Sequence, residues 1–555
     1  MKLCSSILAL CVVLSYSFSA VHAWQSRIEL QDTIETTARD YLKRPSSHTF
    51  TREAKEVARR QVSQALEGAR SSPSSPAEGS GPPRGTANED QIRQLCKDLR
   101  TQLGKKIVIP RPAIVNLEYE ESRLHVYNAA QADEYPYCLI LPTSADHVRA
   151  AYAGLKRIGA GFGVRSGGHA TIDGWSSTKD VMIDFKNWCN VELANQGSIA
   201  NVSPGCRWGE VYKRLEAQGK TVLGGRLSNV GLGATLGGGL SHLSNLHGLI
   251  ADNVASYDLI TPEGHSLTVS NTTNADLWWA LKGGKNRFGI VTRYGFQAYD
   301  VGSWWGGLLT YKGEDALKVC DAVTEFAETF SDPKAAIIPT FNAALGPIGE
   351  FVSVALAYNG PDRPAGVFDM FFNIPRTAEN VGKKSYADIN SVYDFGAIYG
   401  FNVNFRTTSI ALNKDKTRAI YNNWKQAVVD AAGLYFSMSV GLELFTRQGL
   451  AQHAAKGGSP YGFDGTPFSA QSYVMIYSPS SPTNDKQKLL EIVKAAVDKT
   501  PSDAGRPLFV SYASPEQAPF LTYRQLDRLK QINQRYDPEG YFISHAGGPR
   551  FDDKY

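Results

Sequence analysis

Residues 161–169 read Gly-Phe-Gly-Val-Arg-Ser-Gly-Gly-His, and this stretch decides the fold. A run of Ser and Gly lets successive backbone N–H groups converge on an anion, and glycine allows backbone to approach a ligand closely. Two more clusters follow. Residues 224–239 read Gly-Gly-Arg-Leu-Ser-Asn-Val-Gly-Leu-Gly-Ala-Thr-Leu-Gly-Gly-Gly, long enough to run along an extended dinucleotide rather than cup one phosphate. Residues 283–292 read Gly-Gly-Lys-Asn-Arg-Phe-Gly-Ile-Val-Thr and lead into a strand. Each alone serves as a structural turn; three in succession point to one elongated ligand.

None of them is a GxGxxG between strand and helix, and no GxxxxGK[ST] occurs, so neither a Rossmann site nor a P-loop is supported. Around the clusters, 134–303 alternates short β-rich runs with Gly-rich turns. Strands are expected at 138–141, 163–165, 181–184, 199–202 and 256–261, and helices at 145–158 and 208–217. From 304 to about 500 the elements lengthen. Residues 435–445 alternate strictly, with Phe436, Met438, Val440, Leu442 and Leu444 on one face and Ser437, Ser439, Gly441 and Glu443 on the other. That pattern predicts an antiparallel sheet with one open side. Further strands are expected at 351–358 and 473–477, and helices at 314–330, 416–432 and 485–499. The fold class is α+β.

The chain has 555 residues, with 58 Lys plus Arg against 54 Asp plus Glu, and the balance of +4 excludes a polybasic, nucleic-acid-binding character. Hydrophobic residues at 42% and charged residues at 20% exclude wholesale disorder. Residues 1–23 read as a signal peptide: Lys2, an apolar run to Leu14, then Val21-His22-Ala23. The apolar run is too short to span a bilayer, which takes about 20 residues, and no later segment reaches that length. The expected address is the secretory lumen or the outside of the cell. Asn271-Thr272-Thr273 is a sequon, as is Asn201-Val202-Ser203, weakened by Pro204 directly after it. Residues 24–69 are polar, with a helix at 53–67, and 71–89 is a Ser, Pro and Gly linker. Five cysteines remain beyond the signal, with no CxxC pair, so no metal site is expected.

Val164-Arg-Ser-Gly-Gly-His169, Trp208-Gly-Glu-Val-Tyr212, Leu236-Gly-Gly-Gly239, 248–254 and 276–284 occur in the order that resembles the FAD-binding (PCMH-type) domain of vanillyl-alcohol-oxidase-type flavoproteins. Arg535-Tyr-Asp-Pro-Glu-Gly-Tyr-Phe542 resembles the C-terminal segment of their berberine-bridge-like subgroup, fungal secreted type. The resemblance implies an FAD-binding domain at 91–303, a substrate domain at 304–504, and a segment at 505–555 returning to the first domain.

It also implies FAD joined covalently through His169, whose neutral ring nitrogen can attack the flavin methyl carbon. Arg165, Ser166, Gly167 and Gly168 would contact the cofactor, as would Gly225, Ser228, Val230, Gly231, Gly233, Thr235, Gly238 and Gly239. Asn253, Ile290 and Val291 are further candidates. Many relatives carry a second flavin link through a Cys; here that position is Leu227, so a second link is not expected. Where fungal relatives have a Tyr-x-Asn pattern, this chain reads Phe509-Val-Ser-Tyr-Ala513. Phe accepts no proton, and Tyr512 replaces it only if the local register differs, because strand positions an odd number apart face oppositely. Glu443 is the alternative base; its competing reading is a solvated or paired surface carboxylate. The resemblance further implies a Cys96–Cys138 disulfide, with Cys189 and Cys206 paired or reduced.

The expected function is an FAD-linked oxidoreductase moving a hydride from a small organic molecule, a specialised metabolite above all, to flavin with O2 as acceptor. The alternative is a flavin-bound enzyme doing net non-redox isomerisation or cyclisation by acid–base chemistry.

Overall fold

The computed structural model describes residues 85–552, except 113–115, 173, 330–331, 345 and 347–348. The expected signal peptide, the helix at 53–67 and most of the 71–89 linker lie outside the described residues. The first helix, Glu89–Leu103, starts ahead of Cys96. Asn88 caps it, accepting from Gln91 N while the Gln91 side chain accepts from Asn88 N, so two otherwise unpaired donors are satisfied reciprocally.

The strands form three sheets in chain order. The first holds β1 (Val108–Pro110), β2 (Cys138–Ile140), β3 (Phe162–Arg165) and β4 (Val181–Asp184) in the order β1-β2-β4-β3, with β2 and β3 both parallel to β4. The helix Ala145–Ile158 makes the crossover between β2 and β3. Ser144 caps its start and Gly159, at φ +68°, ends it in the left-handed region that glycine tolerates.

The second sheet holds β5 (Val191–Ala194), β6 (Ile199–Val202), β7 (Lys220–Val222), β8 (Val254–Ile260), β9 (Ser266–Ser270) and β10 (Ile290–Asp300). Its order is β5-β6-β10-β8-β9, with β7 paired to the far end of β10.

The third sheet is the eight-stranded antiparallel one that the alternation at 435–445 predicts. It holds β11 (Trp304–Lys312), β12 (Ala335–Ala344), β13 (Glu350–Tyr358), β14 (Ala378–Lys384), β15 (Asn402–Arg406), β16 (Ser409–Ile410), β17 (Ser437–Phe445) and β18 (Phe468–Tyr477). The order is β14-β11-β13-β12-β17-β18-β15, with β16 on β18. Met438, Val440 and Leu442 of β17 pack with Val352, Val354, Tyr473 and Met475 against helices Ala316–Thr329, Lys414–Asp430 and Thr483–Asp498. Each fully buried aliphatic side chain here contributes about 1.5–3 kcal/mol. The opposite face carries small and polar residues aligned across strands: Thr340 opposite Gly441 and Asn342 opposite Ser439.

Two disulfides are present among the described residues. Cys96–Cys138 is the pair implied by the resemblance, and Cys189–Cys206 closes as well, leaving Cys320 free and buried. The chain after 505 returns to the first sheet: Ala546 forms a parallel bridge with Phe162, and Tyr541 and Phe542 join the core of Ile92, Leu95 and Tyr152. Among the described residues no helix is long and apolar enough to cross a membrane, and no metal-ligating group of side chains is found.

Candidate active site

The first two glycine clusters meet back to back. A Cβ on Gly167 would lie 2.4 Å from Gly231 N, and one on Gly231 would lie 2.2 Å from Gly167 N, so only glycine fits at either place. The loop carrying His169 is pinned from behind. Arg165 pairs with Asp184 at 2.7 Å, the two side chains 3% and 0% exposed, and also donates to Ser122 O. Ser166 Oγ donates to Pro204 O, and Arg207 donates to Gly167 O. Arg165 and Ser166 thus spend their side chains holding the loop, which leaves its backbone as the surface offered to a ligand. Gly168, at φ +73°, packs so closely on His125 O that a side chain has no room.

His169 is half-buried, its ring stacked on Tyr127 at 4.7 Å between centroids and 12° between planes. Its Nε2 and the Tyr399 hydroxyl lie 2.9 Å apart. Burial first, then the Arg207 and His125 charges, hold the imidazole down at about 3. The ring is therefore neutral at physiological pH, the state that can act as a nucleophile.

Tyr399 belongs to the excursion 385–401 between β14 and β15, which crosses the open side of the third sheet. From it Asp394 accepts from Ser228 N at 3.0 Å and from Ser228 Oγ, tying the excursion to the second glycine cluster. Tyr393 donates to Ile338 O at 2.6 Å and accepts from Ala355 N; burial pushes its phenol up to about 12.

Glu443 is not on a solvated face. It lies on the open side of β17, 6% exposed, beneath the second glycine cluster. Arg226 Nη2 donates to Glu443 Oε2 and lies 3.5 Å from Tyr512 Oη, while Tyr512 donates to Glu443 Oε1 at 3.3 Å. Burial would lower the Arg226 guanidinium, but Glu443 and Tyr512 more than offset it and hold it above its ordinary value. Burial and then the Glu443 carboxylate push the Tyr512 phenol up, so Tyr512 keeps its proton and acts as a donor. The doubt raised by strand parity is resolved by geometry: 509–512 is a turn, with Tyr512 N donating to Phe509 O. That turn brings Tyr512 round to Glu443, while Phe509 is buried among Phe445, Tyr461 and Tyr512.

The second cluster divides its roles. Gly224 and Gly225 make room for the Trp208 indole, which a Cβ on either would strike at 2.2 and 2.6 Å. Val230 O accepts from Trp208 N. Gly233 is open toward the first loop, its nearest neighbour from a Cβ being Ser166 Cβ at 3.8 Å. Gly238 and Gly239, at φ +89° and +72°, turn the chain away. Asn229 Oδ1 and Thr235 Oγ1 are buried without a partner, which a bound polar group would satisfy. Asn253 differs from the expectation of a cofactor contact: its Nδ2 donates to His247 O and Leu249 O and its Oδ1 accepts from Tyr299 and Lys456, so its amide is fully engaged within the protein. Ile290 and Val291 begin β10 and are buried.

Sequence reasoning passed over Arg226, Asp394, Tyr399 and Arg207. The available signal was Arg226 itself, a charge inside a glycine-rich run. Half-buried Tyr399, Phe401, Phe405, Phe436 and Val474 pack with Tyr127, Ile398 and Val403 between the third sheet and His169, which stacks on Tyr127.

A family profile for an FAD binding domain matches residues 136–270. The FAD-dependent monooxygenase tpcD of Cochliobolus heterostrophus is 30% identical over 447 residues, 75% of this chain and 85% of that one. The bifunctional solanapyrone synthase of Alternaria solani is 30% identical over 292 residues, 52% of this chain and 55% of that protein. Among solved structures, BBE-like 1 of Physcomitrella patens superposes with a TM-score of 0.66 at 19% identity, covering 83% of this chain and 99% of that one. The last of these bears on fold alone.

Proposed function

Because this chain belongs to the FAD-dependent oxidoreductases of the vanillyl-alcohol-oxidase and berberine-bridge-like type, we propose that it is an oxidase of a small, largely apolar organic molecule, a specialised metabolite bearing an ionisable O–H or N–H. The observation that carries this reading is the Arg226–Glu443–Tyr512 cluster, which brings a carboxylate from the substrate sheet against the glycine strip of the cofactor domain. The residues present fit an FAD: backbone-lined loops in contact, orphaned Asn229 and Thr235 oxygens, and a neutral His169. When bound, FAD accepts a hydride.

This chain's residues do the rest. Gly167, Gly168 and Gly231 present backbone to the dinucleotide, and His169 is the group that would attach it covalently. Leu227 offers no nucleophile for a second bond. Glu443 accepts the substrate proton; Tyr512 donates a hydrogen bond to it, and Arg226 positions its carboxylate. The polar floor of Thr340, Asn342 and Ser439 meets the substrate from below, while Phe401, Phe405 and Phe436 exclude water from the side. A relative named for the synthesis of solanapyrone supports the specialised-metabolite class. O2 as acceptor, secretion and glycosylation at Asn271, which is exposed beyond the end of β9, belong to the same proposal.

Acid precipitation of the purified protein tests the attachment. A yellow pellet whose flavin peptide contains His169 is expected; flavin left wholly in solution refutes it. Anaerobic mixing with a panel of phenolic and alcohol metabolites tests the reaction: flavin bleaching by a turned-over compound, then H2O2 on admitting O2, is expected. Turnover without bleaching would establish the non-redox alternative instead.

A further inference from the structure

Lys285 opens the short helical turn Lys285–Arg287 of the third glycine cluster at φ +54°, a left-handed conformation that lysine seldom adopts. That backbone turns its side chain under the second cluster, where a Cβ on Gly237 would lie 2.6 Å from Nζ. The ammonium donates to Ser511 Oγ at 2.9 Å. Three segments far apart in sequence converge there: 237 in the second cluster, 285 in the third, and 511 in the C-terminal segment. Tyr461 clamps the junction, donating to Gly237 O and accepting from Val510 N. No carboxylate pairs with Lys285 among the described residues, in contrast to neighbouring Lys282, which pairs with Asp252 at 2.8 Å. Burial alone pulls Lys285 down to about 8. A cation placed among close-packed loops without a counter-charge is costly, and a strained backbone held in such a place marks function.

We propose that Lys285 is the resident counter-ion for the negative charge that the flavin ring gains on reduction, and so sets the reduction potential of the bound cofactor. A hydride carries two electrons and one proton. When the donor C–H bond breaks, the ring that receives the hydride gains one negative charge, while the substrate's second proton goes to Glu443. The permanent charges of the dinucleotide have another receptor: the Ser166–Gly168 backbone nest held by Arg165 and Arg207. Lys285 instead shares the turn at 510–512 with Tyr512, whose hydroxyl touches Glu443. It therefore lies beside the reacting region rather than the phosphates.

The inference rests on flavin binding but not on the identity of the substrate, because its test uses a chemical reductant and sulfite. Holoenzyme and its Lys285→Gln and Lys285→Arg variants are titrated by dye-coupled dithionite-type reduction, and with sulfite, which adds to oxidised flavin and leaves an anionic adduct. Lys285→Gln should raise the sulfite Kd at least tenfold and lower the potential correspondingly, a tenfold change being about 30 mV for a two-electron couple. Lys285→Arg should keep both within threefold of wild type. A glutamine variant with unchanged potential and sulfite affinity overturns the proposal, as does one that loads flavin poorly while the loaded fraction titrates like wild type, which would make Lys285 a phosphate ligand. Should Lys285→Gln not fold, the wild-type potential decides: stabilised anionic reduced flavin takes up one proton per two electrons, about 30 mV per pH unit from pH 6 to 7, below the range where Lys285 itself titrates. Twice that slope overturns the proposal.

Discussion

Gly167 and Gly231 touch backbone to backbone: a methyl on either would begin 2.2–2.4 Å from the other's nitrogen. The obstacle is main chain on both sides, so no rotamer change relieves it. Gly231→Ala should part the two loops and reduce bound flavin at least tenfold in the purified protein, read from the ratio of absorbance at flavin and protein wavelengths. A variant that loads flavin normally would show that the loops need not meet.

Glu443 and Tyr512 should separate in their effects. Glu443→Gln removes the proposed proton acceptor and should lower kcat per bound flavin by about 10²–10⁴-fold. Tyr512→Phe removes only a donor to it and should cost about tenfold, in line with a single hydrogen bond to a charged group of about 1.5 kcal/mol. Equal losses in the two variants would mean that Tyr512, not Glu443, handles the proton.

Arg226 and Glu443 are 12% and 7% exposed, so removing one partner strands the other. Arg226→Met should destabilise the fold by about 3–5 kcal/mol. The double variant Arg226→Met, Glu443→Gln should recover a large part of that loss in urea unfolding. No recovery would show that the two side chains act independently.

The two disulfides close spans of 42 and 17 residues. Chain-entropy stabilisation is then about 4 and about 3 kcal/mol respectively. Replacing Cys96 and Cys138 together by Ala should lower the urea midpoint more than replacing Cys189 and Cys206. The reverse order would indicate that local packing, not loop closure, dominates.

His242 is 1% exposed with neither ring nitrogen partnered, and burial, then the Arg226 charge, holds it down at about 3. In the unfolded chain it protonates near its ordinary value of about 6.5. Between those values the unfolded state binds the extra proton, so stability falls as pH falls through that window. At pH 4.5 the loss from this residue is about 2–3 kcal/mol. His242→Phe should flatten the acid limb of the stability curve; an unchanged limb would assign the acid sensitivity elsewhere.

The glycine clusters, the alternating strand and the helix at 145–158 were legible because each is local: turn chemistry, period-two burial and a cap can be read within a dozen residues. The edge strand β14, Ala-Glu-Asn-Val-Gly-Lys-Lys, was not, because an exposed edge has no apolar face to alternate. The site was half legible. His169 and Glu443 stood out by motif and by strand position, but their partners Tyr399 and Arg226 lie 230 and 217 residues away. Only the folded chain pairs them. The strand-parity rule that weighed against Tyr512 does not apply there, because 509–512 is a turn.

Arg287, fully buried within the third glycine cluster, donates to the carbonyls of Phe542, Ala546 and Gly547, the first of them 255 residues further along the chain. During synthesis the cofactor domain is therefore incomplete until residues 541–547 have left the ribosome. Until then Arg287 lacks the three carbonyls that accept from it in the folded chain. A chain cut before residue 541 leaves a buried guanidinium without those acceptors, a cost borne by the third glycine cluster rather than by the segment removed.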